Sequence, residues 1–162
     1  MPMVSQNNDR RPIILWVEDN PHSPLLRFIP DQTEAKGLRI EIATGIGGLR
    51  RTLDEIGDRT RIKGIILDIM IRGTPTLKAF DLENIQLGDG DETGIRLIEH
   101  IFRKVDGMFP ELNDTPILVL TLSPIVFKRD FAKYEKVELA KKYDRASGWE
   151  SVVKNWIAQR AG

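Results

Sequence analysis

Gly64-Ile65-Ile66-Leu67-Asp68-Ile69-Met70 is the stretch whose reading decides the fold. Ile62–Leu67 is a short, nearly continuous apolar run closed by an acid, the pattern of a strand buried on both faces of a sheet. Pro12–Val17 and Pro116–Leu120 are equally rich in Ile, Leu and Val, and they predict two more interior strands. Leu38–Ala43 alternates instead, with Leu38, Ile40 and Ile42 set against Arg39 and Glu41, so it predicts an edge strand with one wet face. Val137–Ala140 supplies a fifth run. Between the runs lie segments of helical period: Ile46, Leu49, Leu53 and Ile56, then Ile95, Ile98, Phe102 and Val105. Trp149, Val152, Val153, Trp156 and Ile157 form a third stripe, read as facing the sheet. Pro21–Lys36 is a weaker helical segment that Pro30 should kink or end, and Phe127–Glu135 is a helix of modest amphipathicity. Strands alternating with helices mean βαβ units and a parallel sheet.

One connection breaks the rhythm. From Ile71 to Asp91 there is no clear period, and Gly73-Thr74-Pro75 and Gly88-Asp89-Gly90 interrupt the chain. Loops beyond about 12–15 residues are uncommon inside compact domains. This one leaves the strand that ends at Asp68, so it runs close to whatever chemistry happens there. Asp89-Gly90-Asp91-Glu92-Thr93-Gly94 begins like a calcium-binding helix-loop-helix segment, but the twelfth position is His100 rather than glutamate. A turn in which Asp91 or Thr93 caps the next helix is the better reading.

The bulk properties narrow the class. The 162 residues fit one compact domain that buries roughly 70% of its unfolded surface, preceded by a short flexible tail over 1–10. With no cysteine there is no thiol catalysis, thiolate metal site or disulfide, which suits a reducing compartment. Twenty-four basic and 24 acidic residues cancel, so the overall field does not drive binding to nucleic acid or an anionic membrane. Neither a signal peptide nor a membrane-length apolar run is present, and the expectation is a cytoplasmic protein. Locally the charge is uneven: 71–94 carries a net of −3 (two basic, five acidic residues) and 125–145 a net of +3 (seven basic, four acidic).

In an open parallel sheet ligands bind at the carboxyl ends of the strands. Here those ends carry Glu18-Asp19-Asn20-Pro21, Asp68-Ile69-Met70, Thr121-Leu122-Ser123 and Lys141-Lys142. Three acids, a hydroxyl and an ammonium on one rim suit a small hard cation together with a phosphoryl group. Clustered carboxylates repel unless a cation sits among them, and Mg²⁺ takes one or two carboxylates, carbonyls and waters. A carboxylate can then serve as nucleophile while metal, hydroxyl and ammonium stabilise the transferring oxygens.

This arrangement resembles the receiver domain of two-component response regulators over about residues 11–160. Glu18-Asp19 is similar to that family's acidic pair, Ile66–Met70 to its phosphorylation strand, Thr121 to its switch hydroxyl, and Lys141 or Lys142 to its ammonium. The resemblance implies a flavodoxin-like (βα)5 doubly wound parallel sheet with strand order 2-1-3-4-5. It implies that Asp68 accepts a phosphoryl group from a sensor histidine kinase or phosphotransfer protein. Asp19, Asp68 and the backbone carbonyl of Met70 would hold Mg²⁺, with Glu18 acting through water or by positioning Asp19. Thr121 would bind a phosphoryl oxygen and the lysine would pair with it. With no residues left after the last helix for an output domain, the expected output is a protein partner, a homodimer or onward phosphate relay.

Some positions depart from the family pattern. Lys142 replaces the usual proline, Glu138 (or Leu139 in the shifted register) replaces the aromatic switch residue, and Leu122 stands where a small residue leaves the phosphoryl site open. These departures motivate an alternative, a degenerate receiver acting as a phosphorylation-independent interaction module. An aspartyl phosphatase of the haloacid-dehalogenase type ranks last, because its second acid would fall on Met70, which has no proton to give.

Overall fold

The computed structural model describes residues 10–19, 37–122, 124–141 and 149–161. Five parallel strands form the main sheet: β1 (Ile13–Glu18), β2 (Arg39–Thr44), β3 (Ile62–Asp68), β6 (Ile117–Thr121) and β7 (Val137–Lys141). Their spatial order is β2-β1-β3-β6-β7, which for the five main strands in chain order is 2-1-3-4-5, the doubly wound flavodoxin-like arrangement. β1, β3 and β6 occupy the interior and are buried almost throughout, matching their continuous apolar runs. β2 is an edge, and Ile42 on it is exposed while Ala43 is buried. Arg39 and Glu41 pair with each other there, so the polar half of the alternation lines a shallow polar cleft with Thr52, Glu55 and Arg61.

The period-2 alternation of the strands divides the core into two layers. Ile13, Leu15 and Val17 of β1 face one layer, packed under α1 (Gly45–Ile56), α2 (Thr93–Leu97) and α3 (Pro124–Phe131). Ile14 and Trp16 face the other, with Leu38, Ile66, Leu118 and α4 (Trp149–Ala161). α1 buries Ile46, Leu49 and Leu53 at helical spacing and ends at Gly57, whose φ is 69°. α4 buries Val153, Trp156 and Ile157, while Val152 of the predicted stripe is exposed. The Trp156 ring lies flush on β3 at Gly64, where an added Cβ would fall 2.6 Å from it, so a bare backbone seats this helix. No helix among the described residues is long and apolar enough to cross a membrane. Residues 1–9 of the predicted N-terminal tail (1–10) and the predicted helix over 21–36 lie outside the described residues.

Two expectations fail for local reasons. α2 continues as a π-helical turn over Ile98–Phe102, closed by Arg103 N–H donating to Ile98 O at 2.8 Å. The wider turn re-phases the buried face onto Leu97, Ile98, Ile101 and Phe102 and ends the helix before Val105, which is left exposed. The connection 71–91 is not a plain long loop either. β4 (Thr76–Leu77) and β5 (Leu82–Gln86) pair antiparallel around a 3₁₀ turn at Lys78–Phe80, with Asp81 in the left-handed region at φ 60°. Strands this short carry no readable period.

This hairpin is anchored by its own apolar residues and by arginines. Leu77, Phe80 and Leu87 are buried in the α1–α2 layer. Phe80 meets Phe109 edge to face at a centroid distance of 6.1 Å. Arg50 of α1 lies 5.9 Å from the Phe80 ring centre and donates to Ala79 O at 3.1 Å, so helix and hairpin are locked together. Arg59 stacks 4.8 Å over Phe109 and pairs with Glu111. Burial pushes the Glu111 carboxyl up, and the Arg59 hydrogen bond and charge pull it further down, so it sits below the usual glutamate value. The stability from this pair is therefore present above the unfolded glutamate pKa of about 4.3 and is lost as pH falls through the lowered folded value. Glu111→Gln should cost about 0.5–1 kcal/mol near neutral pH, the range of a part-exposed pair. The gap to the parent should narrow towards about pH 3, as read from urea midpoints.

Candidate functional site

Because the strands are parallel, their carboxyl ends share one rim. β1 delivers Glu18, β3 delivers Asp68, β6 delivers Thr121 and β7 delivers Lys141. The register fixes their spacing: Val17 pairs with Leu67, Asp68 with Leu120, and Thr121 with Lys141. Glu18, Asp68 and Thr121 are buried, at 1%, 3% and 2% exposure, whereas Asp19 is intermediate and Lys141 exposed. Buried acids are rare unless a partner or ion compensates them.

The carboxylates are brought together. Glu18, Asp19 and Asp68 each offer an oxygen, and these oxygens lie within 4.8 Å of one another. At an effective dielectric of about 20, each pair of full charges at that distance repels by roughly 3 kcal/mol. Acidic groups cluster harmlessly on open surfaces, but Glu18 and Asp68 are buried, so solvent screens that pair weakly. The donor set is all oxygen, which fits a hard divalent cation such as Mg²⁺ rather than a soft metal.

Backbone geometry holds the acids in place. Asp19 N–H donates to Glu18 Oε1 at 3.2 Å. Met70 N–H donates to Asp68 Oδ1 at 3.1 Å, so the residue expected to lend a carbonyl folds back against the candidate acceptor. Ile69 N–H donates to Leu120 O at 3.1 Å, carrying the ladder one step beyond Asp68. Leu122, beside Thr121, is 56% exposed at the rim. Glu138 is exposed on β7, and Tyr134, half-buried against the core, stands in the turn before that strand. Lys142, Asn20, Pro21 and Ser123 lie outside the described residues.

Three contributors escaped the sequence reading. Arg72 N–H donates to Asp19 Oδ2 at 3.3 Å, and its guanidinium pairs with Asp91 at 3.1 Å. Gly94 lets α2 begin directly against the end of β3: a Cβ there would lie 2.7 Å from Ile69 Cα and 3.1 Å from Asp68 O. Gly94 N–H donates to Ile69 O at 2.9 Å across that contact. Thr93 is the third. Neither it nor Asp91 caps α2; the N-cap is Glu92, which makes no side-chain cap bond. The buried Thr93 hydroxyl instead donates to Ile71 O at 2.9 Å and lies 3.2 Å from Gly90 O, closing the root of the hairpin. The only sequence signal for this was the Gly and Asp clustering over 88–94, which reads equally well as an ordinary turn.

No protein-family model matches the chain, and no curated protein matches it. Among solved structures it is similar to the N-terminal domain of a response regulator receiver protein from Methanoculleus marisnigri JR1, with 20% sequence identity, 90% of this chain and 96% of that chain covered, and a TM-score of 0.46.

Proposed function

We propose that the chain is a receiver domain that accepts a phosphoryl group on Asp68 with the help of Mg²⁺ and signals by protein–protein contact. The observation that carries this reading is the trio Glu18, Asp19 and Asp68, with oxygens within 4.8 Å at the carboxyl rim of a sheet ordered 2-1-3-4-5. Glu18, Asp19 and Asp68, with the Met70 carbonyl, are the residues that would hold the ion. When bound, Mg²⁺ neutralises the clustered charge and stabilises the oxygens of a transferring phosphoryl group. An Asp68 carboxylate oxygen forms the new bond to phosphorus as the P–N bond of a donor phosphohistidine breaks. The bonding pair stays on the imidazole nitrogen, which takes up a proton. The Thr121 hydroxyl donates to a phosphoryl oxygen, and the ammonium of Lys141, or of Lys142, pairs with the same group. Donors are a sensor histidine kinase or a phosphotransfer protein, and the natural setting is the cytoplasm.

A second reading, a docking module independent of phosphorylation, is favoured by the exposed Leu122 at the rim and by Glu138 on β7. Turnover as an aspartyl phosphatase is disfavoured by Met70 in place of a second acid. Incubation with Mg²⁺ and acetyl phosphate separates the readings. The proposal expects one acid-stable, base-labile phosphoryl group by intact mass, absent in Asp68→Asn. A folded protein that takes up no label favours the docking module.

A further inference from the structure

We propose that Arg72 is the residue through which the phosphoryl state of Asp68 reaches the β4–β5 hairpin, an inference that rests on the acceptor reading above. Its backbone lies against the site, with its N–H on Asp19 Oδ2 at 3.3 Å, one carboxylate away from Asp68. Its guanidinium is held on the hairpin side, by Asp91 at 3.1 Å. Both side chains of that pair are well exposed, at 61% and 59%, so the pair is weak and readily exchanged.

The pair also spans the root of the hairpin. Ile71 N–H donates to Gly90 O at 3.1 Å, Leu87 N–H to Pro75 O at 2.9 Å, and Gly90 N–H to Leu87 O at 3.0 Å. Arg72 and Lys78 are the two cations between 71 and 94, and Lys78 stands in the 3₁₀ turn at the far end of the hairpin. Arg72 is thus the cation that the chain places between the acidic rim and an acidic insertion.

Phosphorylation changes the competition for it. An acyl phosphate carries about two negative charges where the Asp68 carboxylate carried one. The guanidinium, a planar fork suited to phosphoryl oxygens, then leaves Asp91 for the rim. Released from Arg72, Asp91 no longer braces the hairpin root, and the hairpin opens more often. The body of the hairpin stays anchored by Leu77, Phe80 and Leu87, so the response is local.

Hydrogen exchange with mass detection tests this on the whole chain, with Mg²⁺ and acetyl phosphate present and labelling checked by intact mass. In the parent, phosphorylation should speed exchange of residues 82–91 about threefold, while residues 149–161 stay unchanged. Arg72→Gln, exposed to acetyl phosphate until it carries the same label by intact mass, should show no change over 82–91. Asp91→Asn should exchange at the faster rate before any phosphorylation. A labelled parent with an unchanged hairpin, or labelled Arg72→Gln with the same acceleration, overturns the role of Arg72 and leaves the acceptor reading standing. A parent that takes up no label overturns the acceptor reading, and the role of Arg72 falls with it.

Discussion

Asp19→Asn is expected to make the metal-free protein more stable and to weaken its hold on Mg²⁺. Asp19 shares the rim with Glu18 and Asp68, and three negative charges within 4.8 Å oppose folding when no cation is present. Asparagine keeps the oxygen that accepts the Arg72 N–H while removing the charge. Asp19 is partly exposed, so the repulsion is screened and the gain should be about 1 kcal/mol, or roughly 2–4 °C in Tm. The loss of Mg²⁺ affinity should be at least the ~10–100-fold that removal of a mere supporting partner costs. Melts in EDTA and across a MgCl₂ titration measure both effects, since ligand stabilisation grows with concentration over Kd. A variant that is less stable in EDTA, yet gains as much from Mg²⁺ as the parent, would show that these carboxylates are not a cation site.

Gly94→Ala should harm fold and site together. The new methyl would sit 2.7 Å from Ile69 Cα, a contact with backbone that no side-chain rotation relieves. Overpacking of this kind costs about 1–3 kcal/mol, or roughly 2–12 °C in Tm. The chain can relax only by moving α2 or the segment after Asp68. Either shift disturbs Ile69, whose carbonyl accepts from Gly94, and Met70, whose N–H orients the Asp68 carboxylate. Misplacement of a reacting group by about 1 Å can cost on the order of 100-fold in rate. Labelling by acetyl phosphate should therefore slow by roughly 10- to 100-fold under conditions where the variant remains folded. Slowing beyond what the unfolded fraction accounts for is the informative result; a destabilised protein that labels at the parent rate would place the contact outside the site.

Much of this architecture is legible in the sequence. Continuous Ile, Leu and Val runs marked β1, β3 and β6 as interior strands, and alternation marked β2 as an edge, because burial on one face or two leaves a direct imprint on composition. The residues at the strand ends followed, since parallel strands must deliver them to one rim. What escaped depends on contacts between residues far apart in sequence. Arg72 reaches Asp19 across 53 positions and Thr93 reaches Ile71 across 22, distances over which periodicity carries no information. The β4–β5 hairpin has strands too short to show alternation, and two of the partners that anchor it, Arg50 and Phe109, lie in other elements. The π turn at Ile98–Phe102 re-phased one stripe, which is why Val105 looked like core and is exposed. Helical spacing from Trp149 and to Trp156 puts Val152 in the predicted stripe, yet it is exposed while Val153 is buried.

The central claim is that Asp68 is a phosphoryl acceptor within a cation-binding trio, and intact mass spectrometry after exposure to acetyl phosphate tests it most directly. With Mg²⁺ the protein should gain one phosphoryl group that survives acid and is lost in base. The gain should vanish in EDTA and in Asp68→Asn. A folded parent that takes up no label with Mg²⁺ present, or an Asp68→Asn variant that labels as well as the parent, would contradict it.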